Sequence, residues 1–196
     1  MNNYQLKKVI QTMDIIKNYQ PKNQQEAMDK QAMLEFLAHN PDAFDRRNLV
    51  AHFTSSAIII NKKMDKVLFI HHLIYKSWGW VGGHNDGDKD FLKVALKEAK
   101  EETGLKRLKP LLEAPVALDN IHVENHIKNG IYVGDHIHMN LTFLMVGHED
   151  DPLSIKVDEN SGVQWFLMDD ALNHISEPRM RPIYQKIFNI VKSMKA

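Results

Sequence analysis

Apolar residues recur along this chain with two different periods, and the switch between them divides it. Over residues 3–19, Leu6, Val9, Ile10, Met13 and Ile16 share one helical face, and beyond Pro21 a second such face carries Met28, Ala32, Met33, Phe36 and Leu37. Two amphipathic helices are predicted, the second ending at Asn40 because a residue before proline is driven out of the helical region. From His52 the texture becomes that of strands: AHFTSSAIIIN and KVLFIHH are rich in β-branched and apolar residues, and the polar turn from Lys62 to Asp65 between them predicts a hairpin. The glycine-rich stretch WGWVGGHNDGD reads as a loop, and the run from Lys89 to Thr103 as a helix closed by Gly104. Residues 115–123, 130–133, 137–146 and 163–167 read as further strands, and a last helix places Ile183, Ile187, Ile190, Val191 and Met194 on one stripe. Helices and strands intermingle, which predicts an α/β or α+β layered domain over residues 49–196, preceded by a helical extension over residues 1–48. The apolar stripes of that extension need a partner, either the domain itself or a second copy in a homodimer.

Composition narrows the function more than the fold. At 196 residues the chain fills one core rather than two of ordinary size. Its 25 basic and 25 acidic residues cancel, so no global positive field draws it to nucleic acid or to an anionic membrane, and no apolar run reaches membrane-spanning length. A polyphosphate ligand would need a local counter-charge, for which a divalent cation is the usual source. The absence of cysteine removes disulfides, thiolate nucleophiles and Cys-based zinc sites, and fits a reducing, cytoplasmic setting. The first twenty residues lack the apolar segment and small-residue cleavage site of a secretory signal.

The informative segment is GGHNDGDKDFLKVALKEAKEETGL, from Gly82 to Leu105. A run such as Lys97 to Glu102 is usually the solvated face of a helix. Here, however, Glu98, Glu101 and Glu102 stand at i, i+3 and i+4 and crowd three carboxylates onto one face, while Leu92, Ala95, Leu96 and Ala99 form an apolar sector and Lys93, Lys97 and Lys100 a third. Like charges at that spacing destabilise a helix unless something compensates them, and Mg²⁺ or Mn²⁺ takes oxygen ligands so arranged.

Gly83 precedes Glu98 by fifteen residues, and Gly104-Leu105 follows the acidic pair. This spacing resembles the Nudix box: Gly, five residues, Glu, seven residues, Arg-Glu, an aliphatic residue, any residue, Glu-Glu, any residue, Gly and an aliphatic residue. Gly83, Glu98, Ala99, Glu101, Glu102, Gly104 and Leu105 fit it, whereas Lys89 stands at the first glutamate position and Lys97 at the arginine position. The flanking HFTSSAIII and HIHMNLTFL stretches are similar to those of a bacterial group of Nudix proteins carrying GGHxDGDxD, and the likeness covers roughly residues 50–170. The resemblance implies a Nudix fold, a mixed sheet between helices. It further implies metal-assisted attack of water on a nucleoside diphosphate linked to another group. Glu98, Glu101, Glu102 and the Gly83 carbonyl would hold Mg²⁺ or Mn²⁺, with Lys97 among the catalytic residues. Lysine keeps the positive charge of arginine but loses its planar fork. Asp88 and Asp90 flank the substituted Lys89, either of them placed to cap the helix. A general base would come from the box or from a later loop carboxylate such as Glu124, Asp135, Glu149 or Asp150. The alternative is a catalytically weak Nudix-fold module that senses a nucleotide or sugar phosphate. A diphosphate isomerase on the same fold would want a cysteine nucleophile.

Weaker signals remain. Trp78 and Trp80 frame the glycine stretch, where an indole can stack on a nucleobase, although Trp80 and Trp165 read better as core. His136 and His138 share a strand face, as i and i+2 residues must, while His71 and His72 end another strand. Zinc would need three or four ligands, so these read first as structural histidines and next, with His84 and His138, as contacts to a substrate phosphate or base.

Overall fold

The computed structural model describes residues 12–128 and 130–195. Residues 12–18 are helical (α1), so Leu6, Val9 and Ile10 of the first expected helix lie outside the described residues. α2 spans Gln24–His39; β1 Ala51–Ile60 and β2 Lys66–His72 form the expected hairpin; β3 Ser77–Gly79 and β4 Val81–His84 follow, then α3 Phe91–Thr103. The second half contains β5 Lys109–Pro110, β6 Ala117–Val123, β7 His126–Lys128, β8 Ile131–Val133, β9 His136–Val146, β10 Asn160–Leu167 and α4 Met180–Lys195. The main sheet runs β10-β2-β1-β9-β5, with β3 added to β2, β4 to β1 and β6 to β9. β1 and β9 are parallel and the other pairs antiparallel. β7 and β8 make a separate hairpin.

Alternation along the strands sorts the core into two layers. Phe53, Ala57 and Ile59 of β1 and Leu141, Phe143 and Met145 of β9 meet Phe91, Ala95 and Ala99 of α3. The intervening Ile58, Ile60, Leu144 and Val146 meet Tyr184, Ile187, Phe188 and Val191 of α4. Each helix thus seals one face of a mixed sheet. Ile16 and Met33, both fully buried, join the α3-side layer, so the N-terminal helices dock on the domain of the same chain. Two stripes are met in part: Met33, Phe36 and Leu37 of α2 and Ile183, Ile187 and Val191 of α4 pack on the core as expected, with differences at their margins. On α2, Met28 is exposed and Met33 is the buried apolar anchor; on α4, Tyr184 and Phe188 enter the core while Met194 stays exposed.

The stretch expected to be a loop is mostly strand. Gly87 uses a glycine's conformational freedom, at φ 87°, but Gly79, Gly82 and Gly83 are not among the positive-φ glycines. What they supply is close approach. A Cβ at Gly82 would lie 2.7 Å from the Ser55 carbonyl oxygen and 2.8 Å from the Ser56 Cα of β1, and at Gly79 2.7 Å from the Tyr184 hydroxyl. Gly82→Ala should therefore wedge β4 from β1 and lower unfolding free energy by ~1–3 kcal/mol, as overpacking does elsewhere. Urea denaturation with an unchanged midpoint would contradict this tight fit.

A buried polar cluster ties the N-terminal helices to α4 and β6. Lys186 of α4 sits 2.7 Å from Glu26 Oε1 of α2 and 2.7 Å from Asp119 Oδ1 of β6. The Tyr19 hydroxyl and the Lys22 N–H both donate to Glu26 Oε2, at 2.8 and 2.6 Å. Both carboxylates are wholly buried, so one lysine joins three elements.

Candidate active site

The helix α3 that carries the carboxylates begins and ends where its sequence provides caps. Asp90 accepts a hydrogen bond from the Lys93 N–H at 3.0 Å, and Gly104 closes the last turn in the left-handed region at φ 73°. Between the caps, Phe91, Ala95 and Ala99 bury one face under the sheet, which turns Glu98 and Glu102 toward β4. The Gly82 N–H donates to Glu102 Oε1 at 3.0 Å. Gly83 leaves room for Glu98: a Cβ there would stand 2.8 Å from its carboxyl carbon.

A third carboxylate joins them that no sequence pattern announced. Oxygens of Glu98, Glu102 and Glu159 all lie within 4.8 Å of one another. Glu159 immediately precedes β10, and the segment before it passes the end of α3, where Ser154 N–H donates to the Thr103 carbonyl at 2.9 Å. Asn160 completes the attachment, its side-chain amide donating to the Glu102 carbonyl at 3.1 Å. Glu101, on the same helix face, is more exposed and stands apart from this trio. Three of the four loop carboxylates considered as bases are held elsewhere: Glu124 by Arg179, Asp135 by Asn125 and Glu149 by Lys66.

Two lysines balance the charge. Lys97 Nζ lies 3.0 Å from Glu98 Oε1 and 3.5 Å from Glu101 Oε2. Lys156 Nζ reaches Glu159 at 3.1 Å, Glu101 at 3.7 Å and Glu98 at 3.8 Å. Even so, burial pushes the Glu102 carboxyl up to about 8, with the Gly82 N–H opposing the shift. A divalent cation would reverse that shift by favouring the carboxylate. Hard oxygen donors, near-complete burial of Glu98 and Glu102, and a lysine ammonium already drawn among the carboxylates all fit Mg²⁺ or Mn²⁺.

The sequence of the NUDIX domain matches residues 51–187. The chain belongs to the NUDIX family. Solved structures agree on the fold. A NUDIX-family hydrolase from Clostridium perfringens superposes with a TM-score of 0.54 at 21% identity, covering 71% of this chain and 97% of that one. The E. coli dihydroneopterin triphosphate pyrophosphohydrolase gives 0.53 at 13% identity, covering 70% and 95%. A C. elegans Ap4A hydrolase in a binary complex gives 0.50 at 15%, covering 72% and 98%. No curated protein matches at the level of sequence.

The remaining candidates of this NUDIX protein separate. Trp78 meets Phe166 and His71 edge-on, at 5.0 and 5.3 Å between ring centroids, and among the described residues makes no ring contact with His84 or His138. Trp80 packs on Tyr184 in the α4-side layer, as its core reading expected, and Trp165 against the α3-side layer. His71 turns to Ser161, its Nδ1 2.8 Å from the hydroxyl. His84 and His138 do come together, on the face of β4 opposite to the carboxylates, joined by His52 and His136.

Proposed function

We propose that this NUDIX protein hydrolyses a phosphoanhydride bond in a nucleoside diphosphate linked to a further group. The observation that carries the reading is the convergence of buried Glu98 and Glu102 with Glu159 beside Gly83, at the junction of β4 and the helix that follows it. Glu98, Glu102 and Glu101, with the Gly83 carbonyl, would hold Mg²⁺ or Mn²⁺. When bound, such an ion neutralises diphosphate oxygens and acidifies a water. Glu102 is fixed by the Gly82 N–H, so its ligand oxygen is positioned before substrate arrives. Glu159, brought beside Glu98 and Glu102 from another element, takes the role of base that accepts the proton of the attacking water. Lys97 orients Glu98 and Glu101. The weak-binding alternative has less support, because Glu98, Glu102 and Glu159 converge and Lys97 pairs with both Glu98 and Glu101. Release of phosphate or of nucleoside monophosphate from nucleotide sugars, nucleoside triphosphates, dinucleotides or dinucleoside polyphosphates, dependent on Mg²⁺, tests the proposal. Silence across that whole range would overturn it.

The lysine at the arginine position offers a finer test. Lys97 bridges Glu98 and Glu101, so Lys97→Ala should lower turnover about tenfold, equivalent to ~1.4 kcal/mol of lost transition-state stabilisation. Lys97→Arg should match or exceed the parent, since a fork serves two carboxylates better than a point charge. Equal rates for all three at saturating Mg²⁺ would remove Lys97 from the site.

A further inference from the structure

Four imidazoles gather where β4, β1 and β9 lie side by side. His52 of β1 and His138 of β9 are direct partners in the parallel register, and His84 ends β4 two residues diagonally from His52, opposite Thr54. The ring of His52 is 5.0 Å from each of His84, His136 and His138, and that of His84 is 4.9 Å from His138. One ring nitrogen from each of His52, His84 and His138 falls within 4.8 Å of the others.

The hydrogen bonds around this group leave a lone pair unused. His52 Nδ1 lies 3.0 Å from the Asn48 carbonyl, to which it can only donate, so the proton is on Nδ1 and Nε2 is an acceptor. That Nε2 is buried and has no partner among the described residues, in a side chain 3% exposed. An unsatisfied acceptor in such a place is unfavourable in itself. His136 is anchored in the same way, Nδ1 to the Gly134 carbonyl at 2.8 Å, with its Nε2 3.1 Å from His138 Nε2. A backbone carbonyl that fixes the tautomer and turns the other nitrogen inward is the usual outer support of a metal-bound histidine. The polar row beside it contrasts: Thr54, Ser56, Asn140 and Thr142 satisfy one another by hydrogen bonds of 2.8 to 3.0 Å.

We propose that His52, His84 and His138 form a second metal site, for a borderline divalent ion such as Zn²⁺, distinct from the carboxylate site. Nitrogen donors suit Zn²⁺ and disfavour Mg²⁺. Burial holds the three rings in the neutral form that ligates, driving His84 down to about 3 and His138 and His52 below their ordinary value. The unused lone pair on His52 Nε2 can ligate a cation but cannot donate to a phosphate oxygen, which favours a cation over a substrate phosphate. Because adjacent strand residues point to opposite faces, Gly83 meets Glu98 on one side of β4 while His84 meets His52 on the other. The ion would tie three strands together, with His136 or water as the fourth ligand.

The test is equilibrium dialysis of the untagged full chain against Zn²⁺ with the carboxylates saturated by millimolar Mg²⁺, and a Co²⁺ titration followed by visible absorption. One ion per chain is expected, with tetrahedral Co²⁺ bands, retained in Glu98→Gln and weakened at least about a hundredfold in His52→Gln and in His138→Gln. Should either histidine variant fail to fold, ¹⁵N shifts of the imidazoles in the unaltered protein report the same point: Zn²⁺ should move those of His52, His84 and His138. Absence of binding under Mg²⁺, unmoved imidazole shifts, or binding indifferent to both histidine variants would overturn the proposal. Loss of Zn²⁺ in Glu98→Gln would overturn its distinctness. A raised KM in His138→Gln without any Zn²⁺ binding would return these rings to substrate contact.

Discussion

Glu102→Gln is expected to lower turnover by at least about a hundredfold while the protein stays folded. Charge stabilisation by a catalytic cation is worth several kcal/mol, and ~2.7 kcal/mol already gives that factor. The fold should survive because burial already drives this carboxyl toward its neutral form, and an amide oxygen can still accept from the Gly82 N–H. Glu101→Gln should act in the same direction. Its side chain is 42% exposed and shared between Lys97 and Lys156, so a smaller loss than at Glu102 is expected. Rates of product release on the first substrate identified, with circular dichroism as the control, decide the matter. Unchanged turnover in Glu102→Gln would remove it from the catalytic set.

The second large effect lies far from that chemistry. Lys186→Met should lower stability by ~3–5 kcal/mol, because it leaves Glu26 and Asp119 buried without their shared cation. Desolvation raises the Asp119 carboxyl despite the nearby ammonium, so the cluster gains little over an uncharged core; its removal as a whole should be far milder. Restoring most of the loss by adding Glu26→Gln and Asp119→Asn to Lys186→Met would establish that unpaired charge, rather than lost packing, is responsible. A shift of the urea midpoint worth less than about 1 kcal/mol in the single variant would refute the account.

What could be read in advance follows from how local each signal is. β1, β2, β9 and α3 were legible because each carries its own periodicity, and α3 its own caps. β5 and β7 are two and three residues long, too short for a period to register. β3 and β4 were hidden because glycine signals freedom and crowding alike, and only the neighbours Ser55, Ser56, Glu98 and Tyr184 distinguish the two. α2 was placed correctly and Met33, Phe36 and Leu37 of its expected face pack on the core, but Glu26 could not be anticipated there, since the partner of this wholly buried glutamate lies 160 residues away. Within the site, Glu98 and Glu102 were visible as helix neighbours and through the Nudix box. Glu159 was not, for it arrives from a distant segment that the Ser154–Thr103 and Asn160–Glu102 hydrogen bonds tie to the end of α3. The histidines divide likewise: His136 and His138 share a face by strand geometry, whereas His52 and His84 reach them through pairing between distant segments.

Lys156 gives the carboxylate site a further property. Its ammonium lies within 3.8 Å of Glu98, Glu101 and Glu159, so entry of a divalent cation there would be an exchange of one cation for another rather than the filling of a bare anionic hole. The four-carbon stem that carries the charge in can also carry it out, toward whatever anion arrives with the metal. Displaced from the carboxylates, the same ammonium would become available as a counter-ion for a phosphate of the proposed substrate, and the resting and working states of the site would differ chiefly in which negative group this tethered cation attends.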